Sequence, residues 1–330
     1  MKVLVVRFSS IGDIVLTSPV IRCIKQQLPD VELHYLTKKS FQSIVVNNPY
    51  VDKTITIEKS IKEILPLLKA ENYDFLVDLH NNIRTLSLKR KLHVRSAAFP
   101  KLHVAKWLMV NFKVNVLPDK HIIERYFEAV RPLEVVNDGQ RCDFFIAPDP
   151  EVDTEATLGV SPKQFVAFAI GAQFATKRLP VHKMVEIIKK IDQPVVLLGG
   201  PTDQETALQI LEKTTVNVIN SCGKFTLRES ASVVRQSAVL LTHDTGLMHI
   251  ASAFGIPTVS VWGNTVPDFG MYPYFPGEAA NFSMHGVTGL PCRPCSKIGF
   301  QACPKKHFKC MELQDTEAIA ADVNQRAISI

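Results

Sequence analysis

Short apolar runs along the first half of the chain alternate with stretches whose apolar positions recur at helical spacing. The runs Val3–Phe8, Glu32–Leu36, Thr54–Ile57, Phe75–Leu79 and Asp143–Ile146 predict strands, and Pro19–Leu28, Ile61–Leu68 and Ile122–Val130 predict helices. This strand–helix–strand rhythm predicts a parallel sheet covered on both faces. Pro19 suits a first helical position with Ser18 as its cap. Gly12–Thr17 reads either as a separate turn or as part of one kinked helix.

The rhythm breaks over Ala147 to Pro162, "APDPEVDTEATLGVSP", where prolines and acidic residues replace periodicity, as in a linker. It then restarts. Strands are expected at Phe165–Ile170, Val195–Leu198, Val216–Ile219, Val239–Thr242 and Thr258–Trp262, with helices at Val181–Lys190, Gln204–Lys213, Leu227–Gln236 and Gly246–Phe254. The tail Thr316–Ile330 also reads as helical. Residues 1–150 and 151–330 are therefore expected to form two doubly wound domains. Such sheets bind ligands beyond the carboxyl ends of their strands, and two in tandem imply a ligand cleft between them.

Composition narrows the picture. A length of 330 residues favours two cores over one, and 46% hydrophobic with 21% charged residues is ordinary for a globular protein. A net charge of +6 suits an anionic ligand or an acidic membrane surface. The opening "MKVLVV" is too short for a signal peptide, and no apolar run could span a bilayer. A cytoplasmic protein with its seven cysteines reduced is the expectation.

The chemistry gathers in the loops. "RFSSIGDIVLTSP", Arg7 to Pro19, follows the first strand, but one glycine is too few for the dinucleotide fingerprint, and a carboxylate, Asp13, stands at the turn. "IGAQFATKRLP" sets Lys177 and Arg178 before a helix, as a phosphate site or a solvated basic pair. "LGGPTDQE" offers Asp203 or Glu205 to ribose hydroxyls, or simply a turn with an acidic helix start. "THDTGLMHIASAFGIP" places Asp244, Thr245 and Gly246 at a helix N-terminus, where backbone N–H groups and the helix dipole attract phosphate oxygens. Leu247, Ile250, Ala251 and Phe254 form the expected core stripe of that helix, leaving His249 toward cleft or solvent. Asp244 reads as a helix cap or a ribose ligand.

With these motifs, and "DLHNNIRT" at 78–85, the chain resembles the lipopolysaccharide heptosyltransferases, glycosyltransferase family nine, over nearly its whole length. The resemblance implies a GT-B fold of two doubly wound Rossmann-like domains facing each other across a cleft. It further implies inverting transfer of heptose from ADP-heptose to the inner core of lipopolysaccharide. By motif match Asp13 is the catalytic base and Lys177 the diphosphate ligand. Asp244, Thr245, Gly246 and His249 form the nucleotide-sugar loop, Asp203 or Glu205 serves the ribose, and Phe225 stands where a side chain packs on adenine. Ser10, Gly12, His80, Asn81 and Arg84 fall to the acceptor side or the cleft, Arg84 reading equally as a surface charge. Displacing a diphosphate needs a deprotonated acceptor hydroxyl and neutralised leaving-group charge; Asp13 suits the first and Lys177 with the helix after Asp244 the second, with no metal required.

The expected partners are an ADP-sugar and a lipid-linked lipopolysaccharide acceptor, with transient contact at the inner membrane surface and no nucleic acid. His93, Arg95, Lys101, His103 and Lys106, followed by Trp107, form a basic stretch suited to such a surface, or a solvated face. Cys292, Cys295, Cys303 and Cys310, spaced C-x2-C-x7-C-x6-C with His307 nearby, admit a structural zinc, reduced thiols or a disulfide, reduced thiols being favoured. Two other functions compete: a nucleotide-sugar epimerase of the same fold, and a noncatalytic nucleotide-binding module. A transferase using another nucleotide sugar is a further alternative.

Overall fold

The first strand, β1 (Lys2–Val6), is buried from Val3 onward, because parallel neighbours flank it and both faces of its sheet are covered. The computed structural model describes residues 1–146, 151–215 and 217–328. Alongside β1 lie β2 (Glu32–Lys38), β3 (Lys53–Ile57), β4 (Phe75–Asp78) and β5 (Arg95–Ala98), all parallel, in the order β3-β2-β1-β4-β5. Leu4, Val6, Leu36, Ile55 and Leu76 pack with Leu68 and Leu88 from helices on one face. The chain turns back between strands through α1 (Ile11–Val15), α2 (Ser18–Gln27), α3 (Leu65–Ala70) and α4 (Ile83–Leu92). The helices α5 (His103–Phe112) and α6 (Ile122–Phe127) follow β5.

After the short α7 (Thr154–Leu158) comes a second all-parallel sheet. Its strands are β6 (Val166–Ala169), β7 (Val195–Leu198), β8 (Val218–Asn220), β9 (Val239–His243), β10 (Thr258–Trp262) and β11 (Phe282–Gly286), in the order β11-β10-β9-β6-β7-β8. Its helices are α8 (Val181–Ile188), α9 (Gln204–Lys213), α10 (Leu227–Gln236), α11 (Gly246–Phe254), α12 (Lys309–Glu312) and α13 (Thr316–Ile328). Two core clusters cover its faces: Phe168, Leu197 and Leu241 with Ile187 and Ile319, and Ala167, Val196 and Leu240 with Val233 and Ala251.

The chain resolves into two compact units, Met1–Leu102 with Lys120–Ala147, and His103–Asp119 with Pro148–Ile330. Residues 103–119 therefore belong with the second unit although they precede most of it in sequence. Met109 of α5 packs there against Val266 and Phe269.

Several expectations need correction. Asp143–Ile146 is not a strand: the Asp143 amide donates to Ser18 Oγ at 2.7 Å and its carboxylate pairs with Arg22, so the segment lies along α2. Arg22 is 5% exposed, and its guanidinium is also held by Asp138 at 2.7 Å. Thr17, not Ser18, precedes the first residue of α2, and Ser18 Oγ donates to Val15 O at 2.7 Å. The Gly12–Thr17 question resolves as a separate short helix, α1, followed by a break. The expected linker contains α7, capped by Asp153 through the Ala156 amide at 3.0 Å. Of that linker residues 147–150, and elsewhere the expected strand start Val216 and helix end 329–330, lie outside the described residues. The strand β5, the helices α4 and α5, and β11 were not anticipated.

Candidate functional site

In each sheet the strand order reverses direction at one place, and the loops leaving the carboxyl ends of the two strands there form the expected ligand crevice. In the first unit these strands are β1 and β4. The chain leaves β1 through Arg7, whose side chain turns back into the protein. Its Nε donates to Ser9 O at 2.8 Å, one terminal nitrogen donates to Leu79 O at 2.5 Å, and the other pairs with Asp13 Oδ1 at 2.5 Å. The Tyr126 ring lies under the guanidinium, 5.8 Å from its carbon. Asp13, in the first turn of α1, accepts from Ser10 N at 3.1 Å and Ser10 Oγ at 2.6 Å, so it caps its own helix as well. Burial pushes the Asp13 pKa up, but the Arg7 charge and the Ser10 hydrogen bonds outweigh it and hold the carboxyl below its ordinary range. Oδ2 is filled by the two Ser10 hydrogen bonds, and Oδ1, with Arg7 as its one partner, keeps acceptor capacity for a substrate hydroxyl. Gly12 is buried within α1.

At the end of β4, Asp78 orders the neighbouring loop. Its Oδ1 accepts from His80 N at 3.1 Å and Asn81 N at 2.6 Å, and Oδ2 pairs with Lys89 at 2.9 Å. Asn81 takes a left-handed conformation (φ 46°) and donates to Phe99 O at 2.9 Å. His80 stands edge-on to Phe8, ring centroids 5.0 Å apart, and its buried Nδ1 has no hydrogen-bond partner. Burial first, then the Arg7 and Lys101 charges, lower its pKa to about 4, so the ring is neutral at pH 7. Arg84 is exposed in the first turn of α4. The structure thus brings Ser10, Gly12, Asp13, His80 and Asn81 to the crevice strands of the first unit, with Arg84 at the rim.

In the second unit the reversal falls between β6 and β9. Lys177 arrives from the β6 loop and Asp244 from the end of β9, and their side chains pair at 2.5 Å. Thr265 Oγ1 donates to the same Asp244 oxygen at 2.9 Å. Thr245 precedes α11 without capping it: its hydroxyl meets Thr242 Oγ1 at 3.1 Å instead, leaving the helix N-terminus uncapped by a side chain. Gly246 opens the helix. A cation, a hydroxyl and uncapped amide groups at one sheet edge make an anion-binding arrangement. His243 lies fully buried below, accepting from the Leu179 amide on Nε2 at 3.0 Å. Burial, and after it the Arg178 charge, lower its pKa to about 3.

His249 departs from its expected exposure. It is 2% exposed, and Met248, Ile250, Ala251 and Ser252 are buried with it, because α11 packs on β9, β10 and α10 together and has no open side there. Asp203 is buried too. Its carboxylate accepts from Gly200 N at 2.9 Å and lies 3.6 Å from an Arg178 nitrogen. A Cβ on Gly171 would stand 2.2 Å from its Oδ2, and one on Gly199 2.8 Å from its Cβ, so these glycines make room for the acid. Asp203 therefore ties the β6 and β7 loops together. Glu205, two residues on, is exposed, and Phe225 is half-buried against the second-unit core before α10.

The sequence model of glycosyltransferase family 9 (heptosyltransferase) matches residues 63–299. This chain belongs to that family. Among family 9 relatives, lipopolysaccharide heptosyltransferase 1 of Campylobacter coli is 24% identical over 289 residues, covering 80% of this chain and 84% of the relative. The family 9 glycosyltransferase of Veillonella parvula shares the fold with a TM-score of 0.79 at 21% identity, covering 100% of this chain and 98% of that one. Escherichia coli heptosyltransferase WaaC with ADP gives 0.70 at 20% identity, over 99% of this chain and 100% of that one.

Two residues of this family 9 chain escaped the sequence reading as parts of the site. Arg7 carries a signal in hindsight: it continues a fully apolar strand directly, and a cation that is buried, as Arg7 is, needs an acid nearby. Thr265 carries none, since only the fold brings it to Asp244. Arg178, read as a phosphate ligand or one of a solvated basic pair, donates through Nε to Ala172 O at 2.7 Å. All seven cysteines are free thiols, and Cys292 Sγ lies 3.7 Å from His307 Nε2. Among the described residues the ligating atoms that gather within 4.8 Å are those of Glu32, His34 and Glu71, not the cysteines. Lys2 meets Glu71 at 2.7 Å and Glu32 at 3.3 Å, and Lys53 meets Glu71 at 2.5 Å, so lysines already neutralise that group.

Proposed function

We propose that this chain transfers heptose from ADP-heptose to the inner core of lipopolysaccharide, with inversion and without a metal ion. The family match over residues 63–299, which spans the Lys177–Asp244 pair, carries the reading. The relatives named as lipopolysaccharide heptosyltransferases and the neighbour solved with ADP support the donor and acceptor classes. In this reading the second unit holds the donor. The diphosphate takes Lys177 and the amide groups at the start of α11, and Asp244, released from Lys177, turns to the ribose. Asp203 serves indirectly by shaping the loops, and Phe225 offers the adenine a flat apolar face.

The first unit supplies the base. Asp13, kept ionised by Arg7, accepts the proton of the acceptor hydroxyl as that oxygen attacks the anomeric carbon, and ADP leaves with its charge met by Lys177. A single displacement of this kind inverts the anomeric centre. His80, neutral at pH 7, stands at the same sheet edge as Asp13 and adds no competing charge to the base. Contact with the inner membrane surface, where a lipid-linked acceptor resides, belongs to the same reading.

The test is to incubate the purified chain with ADP- and UDP-sugars and truncated lipopolysaccharide acceptors, and to identify products by mass. A heptosylated acceptor formed from ADP-heptose is expected. Conversion of the nucleotide sugar without acceptor would mean an epimerase, and binding without turnover a noncatalytic module.

A further inference from the structure

Helix α5, "HVAKWLMVNF", buries one residue fully, Met109, which anchors it to Val266 and Phe269. Much of the rest of the helix, including its C-terminal end, is open. Val104 is 72% exposed, Trp107 53% and Phe112 61%, and in the turn that follows Val114 is 49% and Val116 55% exposed. Exposed apolar side chains elsewhere are spread thinly along the described chain, as is normal for a protein surface. Five within residues 104–116 form a concentrated ridge. The Trp107 and Phe112 rings pack edge to face, centroids 5.2 Å apart, so the ridge has a defined shape.

Charge says what covers it. Residues 103–119 contain His103, Lys106 and Lys113 and a single acid, Asp119, at the far end. Lys106 sits over the Phe269 ring at 5.8 Å, and Lys113 donates to Pro294 O at 2.7 Å, so both cations border the helix on the side that packs on the second unit. Asp268 accepts from Asn115 Nδ2 at 2.9 Å in the turn after the helix. Aromatic and branched apolar side chains flanked by cations are the pattern of a surface that enters the headgroup region of an anionic bilayer. We propose that α5 and the turn after it dock this protein on an anionic membrane. The purpose of docking rests on the lipid-linked acceptor proposed above; the docking itself does not.

The experiment uses the full chain with no donor or acceptor, so a failure of heptose transfer leaves its result intact. Of the two tryptophans, Trp262 is 1% exposed and its Nε1 donates to Ser260, so a change in emission on adding vesicles reports Trp107. Vesicles of phosphatidylglycerol and phosphatidylethanolamine should shift the emission to shorter wavelength and carry the protein down on sedimentation. Phosphatidylcholine vesicles should do neither, and about 0.5 M salt should weaken the binding, because screening shortens to a few ångströms. The double variant Trp107→Ser, Phe112→Ser should bind anionic vesicles at least roughly tenfold more weakly at an unchanged melting temperature. An absent shift, or equal binding by the variant, overturns the proposal. So does a wild-type dimer in solution that the same substitutions convert to monomer, since a second copy would then cover the ridge.

Discussion

Arg7 and Asp13 act as one unit, so substitutions of the two should fail differently. Asp13→Asn keeps size and most hydrogen bonds and should leave donor binding near normal while lowering turnover roughly 100-fold or more, the scale of a lost general base. Near-normal turnover measured at saturating donor would reduce Asp13 to a helix cap. Arg7→Met should cost on the order of 3 kcal/mol of stability by stranding the carboxylate. It should also raise the Asp13 pKa, moving the acid limb of the pH–rate profile upward. A profile unmoved in the folded variant would leave Arg7 a purely structural residue. Lys177→Ala should weaken ADP and ADP-heptose alike by roughly 10- to 100-fold, the worth of a hydrogen bond to a charged group, and titration calorimetry with both ligands checks it. Unchanged affinity for both would put the diphosphate elsewhere.

At the scale of elements, His243 joins β9 to the loop entering α8 through the Leu179 amide. Its folded pKa, about 3, lies below the ordinary value of 6.5. Its contribution to stability is therefore complete above pH 6.5 and is lost as pH falls toward 3, because the unfolded chain takes up the proton first. Melting temperature should drop between pH 7 and pH 4, and His243→Gln should flatten that slope; an unchanged slope would show that other groups control acid unfolding. The strand–helix rhythm was legible in the sequence because the central strands are buried on both faces and read as unbroken apolar runs. The edges were not. "RSAA" of β5 and "FSMHG" of β11 carry too little apolar character to stand out, and Asp143–Ile146 looks strand-like while lying against α2. The loops bearing Asp13, Lys177 and Asp244 were readable from motifs. The burial of Asp203 depends on space beside Gly171 and Gly199, and that of His249 on how many elements enclose α11. Neither condition is local in sequence.

For the whole molecule, the metal-free reading predicts that heptose transfer persists in excess chelator. Activity that vanishes with chelator and returns with magnesium, at constant melting temperature, would sink it; a fall in melting temperature restored by zinc would instead locate a structural metal at Cys292, Cys295, Cys303 and Cys310. The placement of residues 103–119 in the second unit has a consequence in time. The ribosome releases α5 well before Val266 and Phe269 exist to receive Met109. At a synthesis rate of about 5–20 residues per second, the helix waits roughly 10–30 s with both its sides bare. A nascent chain stalled near residue 150 should thus display an apolar helix that the finished protein half conceals, a target for chaperones that bind emerging chains.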